Sequence, residues 1–510
     1  MNTVSNRIIK NTIYLYIKTG VSLFVWIFTT RVILNNLGTS DFGIYNIVGG
    51  AIGMLGFLNV TMATTVQRYL NYDESKHDIE ILKSIFNVGI VFHVIIAVFL
   101  IVLFLGVGYY MFHGVLNIPS DRLFAAKVVY VSFMISTLFT VVSVPFDAVI
   151  NSHENMLYYS IIGIIETMLK LVVAIVIQFS SYDKLIVYGV LMSAISLNSL
   201  TLMYIYCHRK YEECIVAPQK YYSKCVARRM LSFAGWNFVG TTSSVVGNNG
   251  INIVLNHFFG VIINTSAGIA SQIQGQLFVL SNNMLKALAP VLAKEEGAGN
   301  TTSVLTYSYK GCKYSYFLFA IFAVPFFIET PYLLCIWLGG VPEWAVLFVR
   351  LQLIRGTIES ITMPMRKVLE AKGKIGHYNM VVFIFNILPV FFLFIFYNCG
   401  LNPYWHYIVA IFLMVIVVDT WKIYCCKKYC GLKFLDFFSI VIRPCLIISF
   451  VAFFLGYIPL VFLVSSFIRV CLIVVITSTV MLVGIYISFT ESEKMIFCSL
   501  VQKTRSKFKK

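Results

Sequence analysis

Long stretches without a charged residue constrain this chain more than any other feature of its sequence. Residues 84–120, 185–208 and 230–285 contain no Asp, Glu, Lys or Arg. An apolar run of about 20 residues is long enough to cross a bilayer as a helix. In the whole chain of 510 residues, 59% are hydrophobic and 12% are charged. In soluble proteins roughly 45–50% of the residues are apolar and roughly 25% are charged. These values exclude a soluble multidomain enzyme and a disordered chain, and they predict a polytopic membrane protein.

The pattern of apolar runs and turn residues predicts an all-α integral membrane protein with fourteen spans. The predicted spans are 11–35, 42–63, 84–111, 124–147, 156–178, 185–207, 232–257, 265–291, 312–335, 345–366, 377–397, 403–424, 440–458 and 467–489. Several of them contain a proline, including Pro145, Pro290, Pro325 and Pro389, which membrane helices tolerate where neighbouring groups satisfy the freed backbone.

The distribution of basic residues predicts the orientation. The two termini and the loops on the same side hold 29 of the 39 Lys and Arg residues, whereas the opposite loops hold only Arg122 and Lys184. Because basic loops stay in the cytoplasm, both termini are expected there. The net charge of +17 then lies on the cytoplasmic face, where it attracts anionic membrane lipids. No separate basic domain indicates a nucleic-acid partner.

The two halves of the chain resemble each other at an offset of about 222 residues, so that the segment ending at Gly38 aligns with the segment ending at Gly260. Six spans per half make the repeats parallel. The expected domains are 1–207, a six-helix bundle; 208–231, a basic cytoplasmic linker; 232–425, a second six-helix bundle; and 426–510, two additional helices and a basic tail.

Polar side chains follow one face of several spans. The row in the seventh span is Asn237, Thr241, Ser244, Asn248, Asn252 and Asn256, at intervals of three or four residues. The eighth span adds Gln272 and Gln276, and the first adds Lys18. Such side chains cannot face hydrocarbon without losing their hydrogen bonds. They either join packed helices or line a hydrated cavity, and the length of the row favours the cavity.

Charged residues inside spans are expensive and mark candidate sites. Lys170 and Arg355 lie near the middle of their spans, with Glu166 and Glu359 four residues away on the same faces. Each couple either forms a neutral pair that stabilises the bundle, or the cation binds an anionic substrate while the carboxylate serves as counter-charge or proton carrier. Asp147 is a further candidate for ion coupling.

Five cations lie near span ends and are expected to extend toward the membrane surface. They are Arg31, Lys127, Lys286, Arg350 and Arg469. Arg31 also belongs to the candidate substrate cavity. The lone His93 is more typical of a satisfied interhelical histidine than of a proton relay.

Sequence signatures of enzymes are missing. The chain has no P-loop, no dinucleotide-binding glycine motif and no His-Glu-x-x-His. No nucleophile stands beside a base, and Cys425, Cys426 and Cys430 lack a histidine at the spacing of a zinc site. We therefore expect no enzymatic activity, no cofactor and no bound metal.

The N-terminal 70 residues resemble a known family. Leu37-Gly38 at the first outward turn, Asp41-Phe42-Gly43-Ile44-Tyr45 at the start of the second span, and Arg68 just after it resemble the opening of bacterial O-antigen (Wzx-like) flippases. These are polysaccharide exporters of the multidrug/oligosaccharidyl-lipid/polysaccharide (MOP) superfamily. The resemblance implies a MATE-like fold, with two six-helix bundles around a cleft lined by spans one, two, seven and eight.

The resemblance also implies a substrate and partners. The substrate would be an oligosaccharide on undecaprenyl pyrophosphate, moved from the cytoplasmic to the outer leaflet by alternating access of a monomer. A polysaccharide polymerase and glycosyltransferases are the implied protein partners. Amide and hydroxyl rows suit sugar hydroxyls, and Lys or Arg suits a pyrophosphate. Two alternatives stay open: a cation-coupled exporter of small organic molecules on the same fold, and an integral membrane glycan enzyme.

Overall fold

The structure, a computed structural model, describes residues 2–53, 57–74, 78–112, 120–338, 341–489 and 494. Every regular element in these ranges is a helix. The chain forms two compact units, which we call the N-terminal unit (residues 10–238) and the C-terminal unit (residues 239–510 together with 1–9). Each unit is described separately below.

The helices of the N-terminal unit pack around an apolar core. They are α1 (Asn2–Gly53), α2 (Phe57–Glu74), α3 (Ile79–Tyr110), α4 (Leu123–Ser152), α5 (Met156–Val176), α6 (Lys184–Lys210), the single turn α7 (Pro218–Tyr221) and the start of α8 (Lys224–Gly297). A buried cluster of α1, α3 and α4 side chains, including Val48, Phe104 and Val129, forms part of this core. Tyr130 keeps its hydroxyl satisfied within the cluster by donating to the carbonyl of Phe104 at 2.7 Å.

The C-terminal unit continues α8 and adds the remaining helices. They are α9 (Thr301–Ile328), α10 (Thr330–Leu338), α11 (Ala345–Lys372), α12 (Gly376–Asn398), α13 (Trp405–Ala410), α14 (Asp419–Cys430), α15 (Phe434–Phe437), α16 (Arg443–Phe462) and α17 (Phe467–Ile487). Two π-helical segments, Ile411–Val418 and Phe438–Ile442, join α13 to α14 and α15 to α16.

Nine helices of the described ranges are long and apolar enough to cross a membrane. They are Ile79–Tyr110, Ser120–Ser152, Met156–Phe179, Lys184–Lys210, Thr301–Ile328, Gly376–Asn398, Trp405–Cys430, Phe434–Phe462 and Phe467–Ile487. The predicted all-helical membrane fold is therefore confirmed. The other five predicted spans fall in α1, α2, α8 and α11, except that residues 54–56 lie outside the described ranges. The count of fourteen stays a prediction.

A glycine bends each of the two longest helices. Gly38 in α1 has φ 76° and ψ 171°, and Gly260 in α8 has φ 75° and ψ −171°. L-residues with a side chain rarely adopt such a positive φ, so the backbone conformation at both positions favours glycine. The repeat aligns these two glycines, and they share one backbone conformation.

Small residues bring α8 and α12 into close contact in the C-terminal unit. A Cβ atom on Gly247 would lie 2.3 Å from the carbonyl oxygen of Asn386, and one on Gly250 would lie 2.8 Å from the Val390 side chain. Asn386 donates its amide to Ser243 at 2.9 Å and to Ser244 at 3.0 Å. One face of α8 is thus fixed against α12, which leaves another face exposed.

The position of Arg469 corrects one expectation from the sequence. Its side chain does not extend to the surface but lies buried against Glu329, with Nε 2.5 Å from Oε1 and Nη2 2.8 Å from Oε2. Glu329 is 1% exposed. The prediction that Arg469 extends to the membrane surface is therefore wrong. Its partner carboxylate lies 140 residues away in the chain, and the sequence alone does not show that the two residues meet.

Candidate functional site

A polar cavity of about 260 Å³ lies inside the N-terminal unit, between α1 and the membrane-crossing helices α4, α5 and α6. It is lined by Tyr45 of α1; Ser132, Phe133, Ser136 and Thr140 of α4; Glu166 and Lys170 of α5; and Gly189, Met192, Ser193 and Ser196 of α6. Hydroxyl and charged groups dominate this lining. In a bilayer such groups require water, ions or one another as partners.

The hydroxyl groups present mainly acceptor oxygens to the cavity. Ser132 donates to the carbonyl of Val128 at 2.9 Å, Thr140 to that of Ser136 at 2.9 Å, and Ser193 to that of Val190 at 2.7 Å. A hydroxyl that donates to its own helix keeps its lone pairs available. Because lone pairs face the space, the lining suits water, a proton carrier or a small cation.

Close packing of α4 and α6 fixes these hydroxyl groups in place. A Cβ atom on Gly189 would lie 3.1 Å from Cγ2 and 3.4 Å from Cα of Val129, so glycine allows the helices to approach. The Oγ atoms of Ser136 and Ser196 are 2.5 Å apart and link the two helices across the cavity wall. The sequence therefore specifies the site through one small residue and one hydroxyl pair.

Glu166 and Lys170 supply the charges of the cavity. Nζ of Lys170 lies 2.6 Å from Oε1 of Glu166, one helical turn away. Their side chains remain 38% and 41% exposed, so each keeps free surface in addition to the ion pair. The pair is neutral as a whole, and it offers one cation and one carboxylate to whatever enters.

Most of the cavity lining was not among the residues singled out from the sequence. Ser132, Ser136 and Thr140 follow one another at intervals of four residues in the predicted span 124–147, which is the same helical spacing as the row in α8. This spacing could have identified them. The contribution of Tyr45 from α1 could not be foreseen, because it depends on tertiary packing.

Lys18 lies along the contact between α1 and α5 of the same unit. Its Nζ is 4.1 Å from the centre of the Tyr159 ring, and its aliphatic stem occupies the space above Gly163, where a Cβ atom would lie 2.1 Å from Cε. Ser22 and Thr167 share a hydrogen bond of 3.1 Å one turn farther along. The side chain of Arg31, the other α1 candidate, lies outside the described part.

The polar row of α8 divides into a packed part and an exposed part. Asn237 is buried in the N-terminal unit and donates to Oγ1 of Thr64 at 3.4 Å. Ser244 bonds to the carbonyl of Gly240 at 3.1 Å and accepts from Asn386. Thr241 is partly buried beside them. Asn237 and Ser244 thus join α8 to neighbouring helices.

Farther along α8, exposed polar side chains form what we call the amide face. It comprises Asn248, Asn252 and Asn256 before the bend at Gly260, and Thr265, Ser271, Gln272, Gln276 and Asn282 after it. Gly268 and Gly275 lie on the same exposed side, with open space around them. Between Thr265 and Asn282 this side carries no charged and no apolar exposed residue, as expected of a surface in contact with water or a polar ligand.

Arg355 and Glu359 lie on α11 of the C-terminal unit. Nε of Arg355 is 3.9 Å from Oε2 of Glu359, which is a looser pair than Lys170 with Glu166. Within the described ranges, Nε of Arg355 is buried and makes no hydrogen bond. Oδ1 of Asp147, near the end of α4, is likewise a buried atom with no hydrogen-bond partner there.

A further, buried ion pair of the C-terminal unit joins two residues of α14. Lys422, at the end of the predicted span 403–424, lies buried in α14, where its Nζ donates to Oδ1 of Asp419 at 2.6 Å and to Oγ1 of Thr362 at 3.0 Å. Both side chains of the pair are less than a tenth exposed. This closed arrangement is typical of a structural contact rather than of an accessible site.

This chain is similar to known proteins in its structure rather than in its sequence. No model of a protein family matches the sequence, and the search of curated proteins finds no match.

Solved structures do match. A MATE transporter in its bent conformation gives a TM-score of 0.73 at 12% identity, with 84% of this chain and 97% of that chain covered. An outward-facing multidrug resistance MATE transporter of the MOP superfamily gives a TM-score of 0.69 at 14% identity, with 83% of this chain and 97% of that chain covered. A MOP superfamily transporter from Pyrococcus furiosus gives a TM-score of 0.67 at 14% identity, with 83% of this chain and 97% of that chain covered. That protein is described as having a binding pocket of reverse polarity, which suggests a different function for it. The chain therefore has the fold of the MATE transporters of the MOP superfamily, as the resemblance of its N-terminal residues implied.

Proposed function

We propose that this protein transports a lipid-linked oligosaccharide from the cytoplasmic to the outer leaflet of a bacterial inner membrane. The observation that carries the proposal is the amide face of α8. Hydroxyl and amide groups both donate and accept hydrogen bonds, so they match the hydroxyl groups of a sugar chain. A carboxylate-free surface offers nothing to neutralise an organic cation.

The dimensions of the amide face suit a chain of sugars. Thr265 and Asn282 are 17 residues apart, or about 26 Å at about 1.5 Å per residue. The hydrocarbon core of a bilayer is roughly 30 Å thick. A polar surface of this length offers a moving saccharide successive hydrogen-bonding positions through most of the membrane.

The pyrophosphate of the carrier requires positive charge. Arg355 is the best-placed candidate, because its pairing with Glu359 is loose at 3.9 Å and its buried Nε makes no hydrogen bond in the described ranges. Guanidinium groups bind phosphate oxygens through charge-assisted hydrogen bonds. Lys18, Lys170 and Arg31 are the further cationic candidates that the sequence supplies.

The cavity of the N-terminal unit has a different role in this proposal. Its volume of about 260 Å³ is below the roughly 300–1,000 Å³ of pockets that hold small-molecule ligands, so it is too small for a saccharide chain. Acceptor oxygens beside the Glu166–Lys170 pair suit the binding of a coupling ion or proton instead. Glu359 and Asp147 remain further carboxylates for ion coupling.

A second candidate function is the cation-coupled export of small organic molecules. The accessible carboxylate of Glu166, together with the MATE fold, favours it. The two functions predict opposite responses to an added negative charge on the amide face, because one substrate is an anion and the other a cation.

The decisive experiment places a charge on that face. In cells that depend on this protein for surface glycan, Gln276→Glu is expected to lower export of the lipid-linked oligosaccharide at least about tenfold, since Coulomb repulsion in a low-dielectric site opposes the pyrophosphate. Gln219→Glu, which adds the same charge on the exposed turn α7, is the matched control. Unchanged export in Gln276→Glu, with gain of organic-cation efflux, would establish the second candidate.

In this proposal the protein acts as a transporter beside glycosyltransferases that build the saccharide and a polymerase that consumes it. Both termini lie in the cytoplasm and the protein works as a monomer. Deletion of the gene is expected to accumulate the lipid-linked unit in the inner leaflet. An unchanged surface glycan after deletion would contradict the proposed function.

A further inference from the structure

A groove of about 590 Å³ runs between α16 and α17 in the C-terminal unit. Its wall on α16 extends from Arg443 to Val451, and its wall on α17 extends from Thr479 to Ile487 and continues to Ser488. Eight residues of helix correspond to about 12 Å at about 1.5 Å per residue. The groove is therefore about as long as one leaflet of the hydrocarbon core, which is half of roughly 30 Å.

The body of the groove is aliphatic and open to the membrane. Ile447 is 52% exposed, Val483 53% and Ile487 71%, and all three line the groove. At its side, Gly484 allows close approach of α16, because a Cβ atom there would lie 2.6 Å from the Ile448 side chain. A surface of this chemistry matches a saturated hydrocarbon chain.

One end of the groove is positively charged. Arg443 lines it and is exposed, and among the residues that the structure describes it forms no ion pair and has no carboxylate beside it in the lining. Lys313 adds a second cation nearby, with its Nζ 3.1 Å from the carbonyl oxygen of Ser488. This contact also neutralises the negative end of the α17 dipole.

The hydroxyl groups at this end are already engaged as donors. Ser439 donates to the carbonyl of Asp436 at 3.2 Å, and Ser488 donates to that of Ile485 at 2.8 Å. Arg443 is thus the charged group of the lining, and its guanidinium makes no hydrogen bond within the described ranges. A guanidinium at the mouth of an aliphatic groove is complementary to a phosphate that is attached to a hydrocarbon chain.

We propose that the groove between α16 and α17 binds an anionic glycerophospholipid, with an acyl chain along Ile447 and Val483 and the phosphate on Arg443. Because the groove is about as long as one leaflet, it fits an acyl chain better than a longer polyprenyl chain. The predicted orientation places Arg443 at the cytoplasmic surface, the leaflet whose anionic lipids bind basic pockets between helices. The site is separate from the amide face and does not rest on the proposed transport function.

Native mass spectrometry of the full chain tests this site. The protein, purified in detergent, is mixed with phosphatidylglycerol, phosphatidylcholine or undecaprenyl phosphate. Phosphatidylglycerol is expected to be retained in preference to phosphatidylcholine.

Arg443→Gln is expected to lower the retention of phosphatidylglycerol at least about tenfold, because a charge-assisted hydrogen bond is lost. Lys427→Gln, an equal charge change at an exposed position of α14 outside the groove, is expected to retain the lipid like the native chain.

A second variant tests the aliphatic part without removing the cation. Val483→Trp fills the groove from an exposed position, so it leaves the core intact, and it is expected to lower phosphatidylglycerol retention to the same extent. Equal retention in Arg443→Gln and Lys427→Gln overturns the proposal. Equal binding of phosphatidylcholine, or preferred binding of undecaprenyl phosphate, overturns it as well, by showing that the headgroup charge or the chain was assigned wrongly.

Discussion

At the scale of single residues, three cations inside helices lie against carboxylates, but with different access to solvent. The side chain of Lys170 is 41% exposed, that of Lys422 7% and that of Arg469 9%. A pair that retains free surface can bind and release a ligand, whereas a fully enclosed pair mainly fixes the positions of its helices. Exposure therefore separates the cavity pair from the two structural pairs.

Removal of Arg469 is expected to destabilise the protein strongly. In Arg469→Ala the Glu329 carboxylate stays buried without its partner, and breaking a buried pair in this way costs about 3–5 kcal/mol. Thermal unfolding in detergent would show a lowered midpoint, whereas Lys127→Ala, at an exposed position of α4, would leave it unchanged. A midpoint for Arg469→Ala equal to that of the native chain would contradict the structural role.

His153 makes the stability of the N-terminal unit depend on pH. Burial lowers its pKa, but hydrogen bonds with Glu213 at 2.5 Å and Glu74 at 3.3 Å outweigh burial and raise the pKa to about 9. Because this value is above the roughly 6.5 of an unfolded histidine, the stabilisation is complete below about pH 6.5 and disappears as the pH rises through 9.

Unfolding midpoints measured from pH 6 to pH 10 test this dependence. The native chain is expected to lose stability as the pH rises toward 9 and beyond, and His153→Gln is expected to lose much of that slope. An identical slope in both proteins would show that His153 does not carry the effect.

At the scale of helices, small residues decide which face of α8 packs and which stays exposed. Gly247→Ala would place a Cβ atom 2.3 Å from the backbone oxygen of Asn386, and backbone cannot yield as a side-chain end can. Overpacking of this kind costs about 1–3 kcal/mol. Gly268→Ala, in open space on the same helix, is the matched control and is expected to be neutral or slightly stabilising.

Unfolding midpoints of the two glycine variants provide the measurement. A lowered midpoint in Gly247→Ala alone supports the close contact of α8 with α12. Equal midpoints in both variants would mean that α12 moves away without cost, and the division of α8 into a packed and an exposed face would then lose its basis.

The helices themselves were largely predictable from the sequence, because a span of about 20 apolar residues has few other stable conformations. The split of the α8 row was not. Asn237, Ser244 and Asn248 are all polar and follow the same helical spacing, but Asn237 bonds to Thr64 and Ser244 to Asn386, whereas Asn248 remains exposed. Which positions find partners depends on distant parts of the chain, and a single sequence does not show that.

At the scale of the whole molecule, the chain combines the amide face, which we propose binds a polar substrate, with a small cavity in the N-terminal unit that contains an ion pair. The proposal requires the Glu166–Lys170 pair to act in transport and not only in folding. Single variants cannot separate these roles, because Glu166→Gln leaves a cation without its counter-charge and Lys170→Met leaves a carboxylate, and an uncompensated charge inside a membrane helix is itself destabilising.

A double-mutant cycle separates folding from transport. Glu166→Gln and Lys170→Met are each expected to lower both the unfolding midpoint and the export of the lipid-linked oligosaccharide. The double variant restores the charge balance, so its midpoint is expected to return toward that of the native chain. Its export is expected to stay at least about tenfold lower, because the site has lost the groups that we propose bind the coupling ion. Lys127→Met serves as the control for loss of a cation. Full recovery of export in the double variant would show that the pair only stabilises the bundle, and the coupling site would then have to lie elsewhere, with Glu359 and Asp147 as the next carboxylates to test.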